Sequence, residues 1–418
     1  MLISGDIVHK LSILALISLT ATSSFADDWP QFRGPHNDGL VQLQTPIDKL
    51  AITQVWQVPL GDAFSAISVS AGKAVTMAQR DNDEFLIILD AVTGKEFKAL
   101  RIDKTIKDGN GNGPRSTPAI DASRIYVYSS HMKLICFDIS KDQPLWQHDI
   151  CKEYNGKVPP YGNASSPILI DDLLLITGGG EGHAIMAFKK ETGELAWASG
   201  DDPHTHVTPT PTTIAGQKQV ICYLKSGLVS VDPKNGKILW TFARPSCNTG
   251  ASPIVGGKDN NIVFASAAYG VGGAACKISR NTDQWTATPL WGTKGKHMIH
   301  WSTPIYHDGY IYGFFGPAGA KGSFECLDIN TGQSKWSQPF DNRGGMILMG
   351  DKFLIQTPDG DLVLVAASPE SYKELDRTPL FKGKNWIAPS FADGMLFARN
   401  NSEKNAQSQA VCLKLASH

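Results

Sequence analysis

The chain has 418 residues, 39 of them basic and 40 acidic, for a net charge of −1. That balance excludes nucleic acid and anionic membrane surfaces as the main partners. Beyond the first 26 residues no stretch approaches the roughly 20 apolar residues of a membrane span.

In chain order, the first element is an address. His9 and Lys10 precede the apolar run Leu11 to Leu19, and small residues follow to Ser24-Phe25-Ala26. This predicts a secretory signal over residues 1–26, cut after Ala26, with the mature chain in the periplasm or outside the cell. The apolar run is too short to cross a bilayer. Residues 27–52 read as an N-terminal extension, and residues 53–418 as one array of repeats.

The repeat is clearest at Leu228 to Trp240 and Phe324 to Trp336, where an apolar strand runs into an Asp-turn-Gly and then a tryptophan. Asp232 and Trp240, Asp328 and Trp336, and Asp138 and Trp146 are each eight apart. Ser-x-Pro landmarks open the units at Pro118, Pro167, Pro253, Pro304 and Pro389; Thr208-Pro209 or Thr210-Pro211 opens another. Each unit holds short runs rich in Ile, Val and Tyr, separated by turn residues, which are strand signals. Self-similarity at this period marks a solenoid or a propeller. Four short strands per unit predict an all-β fold, an eight-bladed β-propeller of four-stranded antiparallel blades.

The landmarks have physical roles on that fold. Proline cannot donate to a ladder and suits the innermost edge strand. Asp caps turn amides and Gly takes a positive φ. The aromatic should fill the gap between blades; the expected series is Trp56, Phe97, Trp146, Trp197, Trp240, Trp291, Trp336 and Phe381. The chain ends on a third strand, Ala410 to Leu415, so Gln54 to Pro59 should supply the missing outer strand and close the ring.

Seven cysteines in an exported chain raise the question of disulfides. Cys136, Cys276, Cys326 and Cys412 recur at one repeat position and read as core, as does Cys222. Cys151 and Cys247 fall in loops, and a bridge between them is left open.

The pattern Ser-x-Pro, apolar strands, Leu-x-x-x-Asp-x-x-Thr-Gly-x-x-x-Trp resembles the pyrroloquinoline-quinone-type propeller repeat. Asp28-Trp29-Pro30-Gln31-Phe32-Arg33-Gly34-Pro35 resembles the N-terminal signature of exported single-domain members. The family it resembles includes quinoprotein dehydrogenases, the non-enzymatic propeller of outer-membrane-protein assembly and many members of unknown role, and the chain matches neither named branch closely. The enzymatic branch implies pyrroloquinoline quinone and calcium as cofactors. The chain has no adjacent Cys-Cys pair, no Cys-x-x-Cys-His haem motif and no lipid-attachment cysteine.

Ligands are expected at the channel mouth, just ahead of the inner strands. The residues there include Arg115, Tyr161, Asn163, His206, His300, Trp301, Arg343 and Trp386. Arginines can pair carboxylates and tryptophans can stack on a ring, so an anionic or sugar-like ligand is expected. The pairs His204-x-His206 and His297-x-x-His300 lack acidic companions, and no metal site is assigned to them. Asp108 to Gly113 matches only the first half of a calcium loop, with Ala119 where a bidentate Glu belongs. The expected function is a non-catalytic binding or scaffold protein with a protein partner or a small or sugar-like ligand. The alternative is a quinone-dependent dehydrogenase of alcohols or sugars.

Overall fold

The computed structural model describes residues 28–43, 46–317, 321–403 and 406–415. The expected signal, residues 1–26, lies outside them. Eight four-stranded antiparallel blades form the propeller, seven of them from consecutive strands; one of these seven carries an extra, parallel strand. Among the described residues the one helix is the single turn Ile150–Glu153. The apolar core lies between blades. One cluster joins the first two blades through Val75, Ile88, Val127 and Ile135; another joins the third and fourth through Leu175, Ala187, Cys222 and Val229.

The ring closes as the strand pattern requires. Ile52–Pro59 pairs antiparallel with Gln409–Leu415 and becomes the outer strand of the last blade. No edge is left open at the seam.

Each proline landmark sits where its missing N–H costs nothing. Pro118, Pro167, Pro253, Pro304 and Pro389 directly precede the inner strands beginning Ala119, Ile168, Ile254, Ile305 and Ser390. The hydroxyl beside the proline has its own task. Thr117 Oγ1 accepts the Ala66 N–H at 3.1 Å, Ser166 Oγ that of Thr117 at 2.9 Å, and Thr208 Oγ1 that of Ser166 at 2.9 Å. Successive blades are thus tied rim to rim, and Thr208-Pro209 is the landmark of its unit. A buried amide left without such a partner would cost about 1–3 kcal/mol.

Four outer tryptophans bolt their blade to a turn of the next. The indole N–H groups of Trp56, Trp146, Trp197 and Trp291 donate to the carbonyls of Ala91, Lys190, Pro233 and Ile329, at 2.8–3.1 Å. Each acceptor lies one residue after the turn's Asp or its replacement Lys189. The turn glycine is needed twice over. Gly94 and Gly193 have φ of +71° and +76°, and a β carbon on either would come 2.6 Å from the indole.

Three of the expected aromatics are not bolts. Phe97 is 53% exposed. The register opposite Ile88 belongs to Lys98, whose Nζ reaches Lys141 O at 3.0 Å and Asp142 at 2.7 Å. Phe381 follows the strand Glu374–Pro379, and Asp376 takes its register position, accepting the Leu50 N–H at 2.8 Å. A long cationic stem or a capping carboxylate can bind the neighbouring backbone as an indole does. Trp240 bonds Gln219 Oε1 of its own blade at 2.7 Å. The next blade offers it no Asp-Gly turn, only the long hairpin Gly272–Asn281 and Gln284–Gly292.

Cys136, Cys326 and Cys412 lie directly opposite Trp146, Trp336 and Trp56 and are buried. Cys151 and Cys247 are free thiols directed at the carbonyls of His131 and Thr249.

The N-terminal extension is structured and crosses the central channel. Trp29 exchanges backbone hydrogen bonds with Val69, Pro30 O accepts from Ile120, and Gln31 Oε1 accepts from Leu169. These are inner strands of the first three blades. Arg33 then reaches the opposite side, donating to Thr303 O and Pro304 O at 2.8 and 2.9 Å. Leu40–Val41 adds a parallel fifth strand to the seventh blade. Trp29, Gln31 and Arg33 are all buried.

Candidate functional site

The plug divides the channel into two concavities. One is a well of about 220 Å³ at the mouth from which the inner strands start. Trp29, Phe32 and Arg33 of the plug form its floor, and inner-rim residues such as Thr117, Thr208, Ser252 and Ser302 form its wall. The other, about 530 Å³, lies beneath the plug, where Lys218 is already paired with Asp171 at 2.7 Å.

Eight side chains from the loops ahead of the blades form a collar over the well. The Arg115 guanidinium lies 5.2 Å from the Phe64 ring centre, and Phe64 stacks on Trp386 at 5.5 Å. Trp386 stacks on Trp301 at 4.2 Å with their planes 26° apart. Trp301 meets His300 at 5.6 Å, and His300 meets Tyr269 at 5.2 Å. On the other side Tyr161 meets His206 at 6.3 Å. Burial and then the neighbouring Tyr161 hydroxyl push the Tyr269 phenol up. Trp301 and Trp386 belong to the sixth and eighth blades. They touch because the seventh contributes only Gly344-Gly345 at the rim, where a β carbon would collide with backbone of Gln356 or Ala388.

Both indole faces are covered. Arg343 lies over Trp301 at 5.5 Å, and Lys384 over Trp386 at 4.5 Å. The indole N–H of Trp301 and Nε2 of His300 are buried without a hydrogen-bond partner.

The charges are lopsided. No carboxylate is among the residues lining the well. Arg115 is paired with Asp108, which spends the carboxylate of the half calcium loop. Arg33 is held by four carbonyl contacts near Asp38, and burial draws it down to about 10. Among the described residues Arg343 and Lys384 have no acidic partner; they donate to Pro317 O and Asn110 O. Burial, and then the charge of Arg343, lowers His300 to about 4. Burial also lowers His206 to about 4 and His204 to about 3. These imidazoles are neutral at physiological pH.

Arg115, His206, His300, Trp301 and Trp386 therefore converge on the well. Asn163 is fully buried beside it and spends its amide on Ser165 and on the carbonyls of Tyr128 and Ser129. Arg343 backs Trp301 without lining the cavity. The histidine pairs are split. His204 bonds Thr177 while His206 bonds Pro160 O, and His297 pairs with Glu325 while His300 faces the well. Sequence reasoning missed Phe64, Tyr269 and the floor. Tyr269-Gly270 carried a signal, a bulky residue where a tight turn favours Asn or Gly.

Residues 47–338 match the family described as "Outer membrane protein assembly factor BamB". The chain belongs to this family. Among solved structures, this BamB-family chain resembles BamB from Moraxella catarrhalis, with a TM-score of 0.59 and 13% identity over 87% of this chain and 100% of that one. It also resembles the quinohemoprotein alcohol dehydrogenase ADHIIG from Pseudomonas putida HK5, with a TM-score of 0.66 and 14% identity over 94% of this chain and 81% of that one. The quinohemoprotein alcohol dehydrogenase from Comamonas testosteroni is similar at a TM-score of 0.64 and 13% identity, over 93% of this chain and 80% of that one. At these identities the likeness shows the propeller fold. No curated protein sequence matches the chain.

The well does not fit the quinone and calcium of the dehydrogenases. Calcium requires several oxygen donors, chiefly carboxylates, and none lines the well. A planar quinone requires an open aromatic face, and those of Trp301 and Trp386 are taken.

Proposed function

We propose that this protein is an exported, non-catalytic binding propeller whose collared well takes a small ligand or a chain end of a protein partner. The observation that carries this reading is the lining itself. It has hydrogen-bond donors without partners and aromatic walls, but no acid placed to act as a base. Histidines held near 4 are too weakly basic to draw a proton from an alcohol at neutral pH. Export rests on the predicted signal; no helix among the described residues is long and apolar enough to cross a membrane.

The test is to add pyrroloquinoline quinone and calcium to the purified protein, then follow melting temperature and dye reduction with a panel of alcohols and sugars. No stabilisation and no turnover is expected. Turnover would overturn the non-catalytic reading in favour of a dehydrogenase.

A further inference from the structure

Tyr161 and Tyr269 occupy backbone positions that tyrosine disfavours. Both are left-handed, with φ of +71° and +49°. Tyr161 is the third residue of the turn Pro159-Pro160-Tyr161-Gly162, closed by a 3.0 Å bond from Gly162 N–H to Pro159 O. A turn with proline second and a positive φ third calls for glycine or asparagine in that third place. Tyr269 opens the central pair of Ala268-Tyr269-Gly270-Val271, closed at 3.1 Å, where both central residues are left-handed. Most other residues in this conformation are the Asp, Asn and small residues that hairpin turns accept. Two strained tyrosines at one mouth suggest that their side chains are wanted there.

Both residues are exposed, at 38% and 58%, and both line the well. Beneath them are the unpartnered Trp301 N–H and His300 Nε2, together with Arg115. The surrounding cations Arg343 and Lys384 have no acidic partner among the described residues. Arg115 keeps Asp108 as its partner, so the excess charge is that of Arg343 and Lys384 around the well, and donors beside such an excess recognise an acceptor-rich anion. Its volume admits on the order of fifteen water-sized groups, room for a small organic acid or the last residues of a peptide.

We propose that the well binds a carboxylate, held by Arg115, His300 and Trp301 and covered by the hydroxyls of Tyr161 and Tyr269. This rests on the binding reading above and names the ligand chemistry. The carboxylate belongs either to a small organic acid or to the C-terminus of a peptide.

Isothermal titration of the full mature chain separates these. The probes are butyrate, N-acetyl-Ala-Ala with a free carboxylate, and the same dipeptide as its C-terminal amide. We expect a carboxylate form to bind and the amide to bind at least about tenfold more weakly. Butyrate alone sufficing points to a free acid; a requirement for the dipeptide points to a chain end. Tyr161→Gly and Tyr269→Gly should each weaken carboxylate binding by about tenfold while the melting temperature does not fall, because glycine relieves the turn. A merely structural tyrosine would lower the melting temperature instead. Equal affinity for acid and amide would overturn the carboxylate while leaving a binding well. Absence of binding by both acids would also overturn it, independently of the quinone test.

Discussion

Replacing Gly94 by alanine should destabilise the protein by about 2–5 kcal/mol, and most of that cost should vanish if Trp56 is removed first. Two terms make up the estimate. Gly94 is left-handed, which costs an alanine about 1–2 kcal/mol. Its new β carbon would also sit 2.6–2.9 Å from Cδ2, Cγ and Cε3 of Trp56, an overpacking worth about 1–3 kcal/mol. The ring cannot simply retreat, because its N–H holds Ala91 O at 2.9 Å and its residue is only 7% exposed. Trp56→Ala alone should cost about 3–5 kcal/mol. In that background Gly94→Ala meets no ring, and only the backbone term of about 1–2 kcal/mol remains. The double-mutant cycle should therefore show a coupling of about 1–3 kcal/mol. Urea titration followed by circular dichroism measures all four corners. If Gly94→Ala costs the same with and without Trp56, the glycine is there for the turn alone and the bolt argument fails.

Acid should weaken the fold between about pH 6.5 and pH 4. His204, His206 and His300 are held at about 3–4 when folded, so the unfolded imidazoles take up protons first. At up to about 1.4 kcal/mol per pH unit for each group, urea midpoints should fall across that window, and His300→Gln should flatten the fall. Glu84 works with the opposite sign. Burial pushes its carboxyl up to about 7, so its contribution is full below about pH 4.5 and lost as pH rises through 7. Glu84→Gln should therefore gain stability relative to wild type on going from pH 5 to pH 8, and a constant difference would refute the buried carboxylate's cost. Arg33→Met should cost about 1–3 kcal/mol for each of Thr303 O and Pro304 O left buried without a donor, read as a lower melting temperature. An unchanged melting temperature would mean the plug is not held by that arginine.

The blades were legible because their causes repeat. Proline on an inner edge, Asp-Gly in a turn and tryptophan eight residues later recur often enough for spacing alone to give the sheets and the seam. Where one copy used different chemistry for the same task, spacing misled. Lys98 and Asp376 bind the neighbouring backbone without an aromatic, and Phe97 and Phe381 stood nearby to be mistaken for it. The collar was half legible. Arg115, His206, His300, Trp301 and Trp386 precede inner strands, and position in the unit located them. Asn163 shares that position yet turns inward, because its amide donates to Ser165 O of its own loop and to the Tyr128 and Ser129 carbonyls of the preceding blade. The plug was not legible, since it pairs with strands from 40 to 308 residues away and carries no strand period. Its one clue was Trp29 and Phe32, large apolar side chains that an unanchored extension would leave in water.

The seam between Ile52–Pro59 and Gln409–Leu415 also bears on how the ring is made. The earliest strand of any four-stranded blade is matched to the latest, so the final blade is completed only when Gln409–Leu415 is available. Joining ends separated by almost the full chain length carries a large loop-closure entropy and slows folding. The plug shares the delay, for its anchor Arg33 waits on Thr303 and Pro304. Until both ends are present, the facing edges of Ile52–Pro59 and Gln409–Leu415 stay unpaired and open to foreign strands.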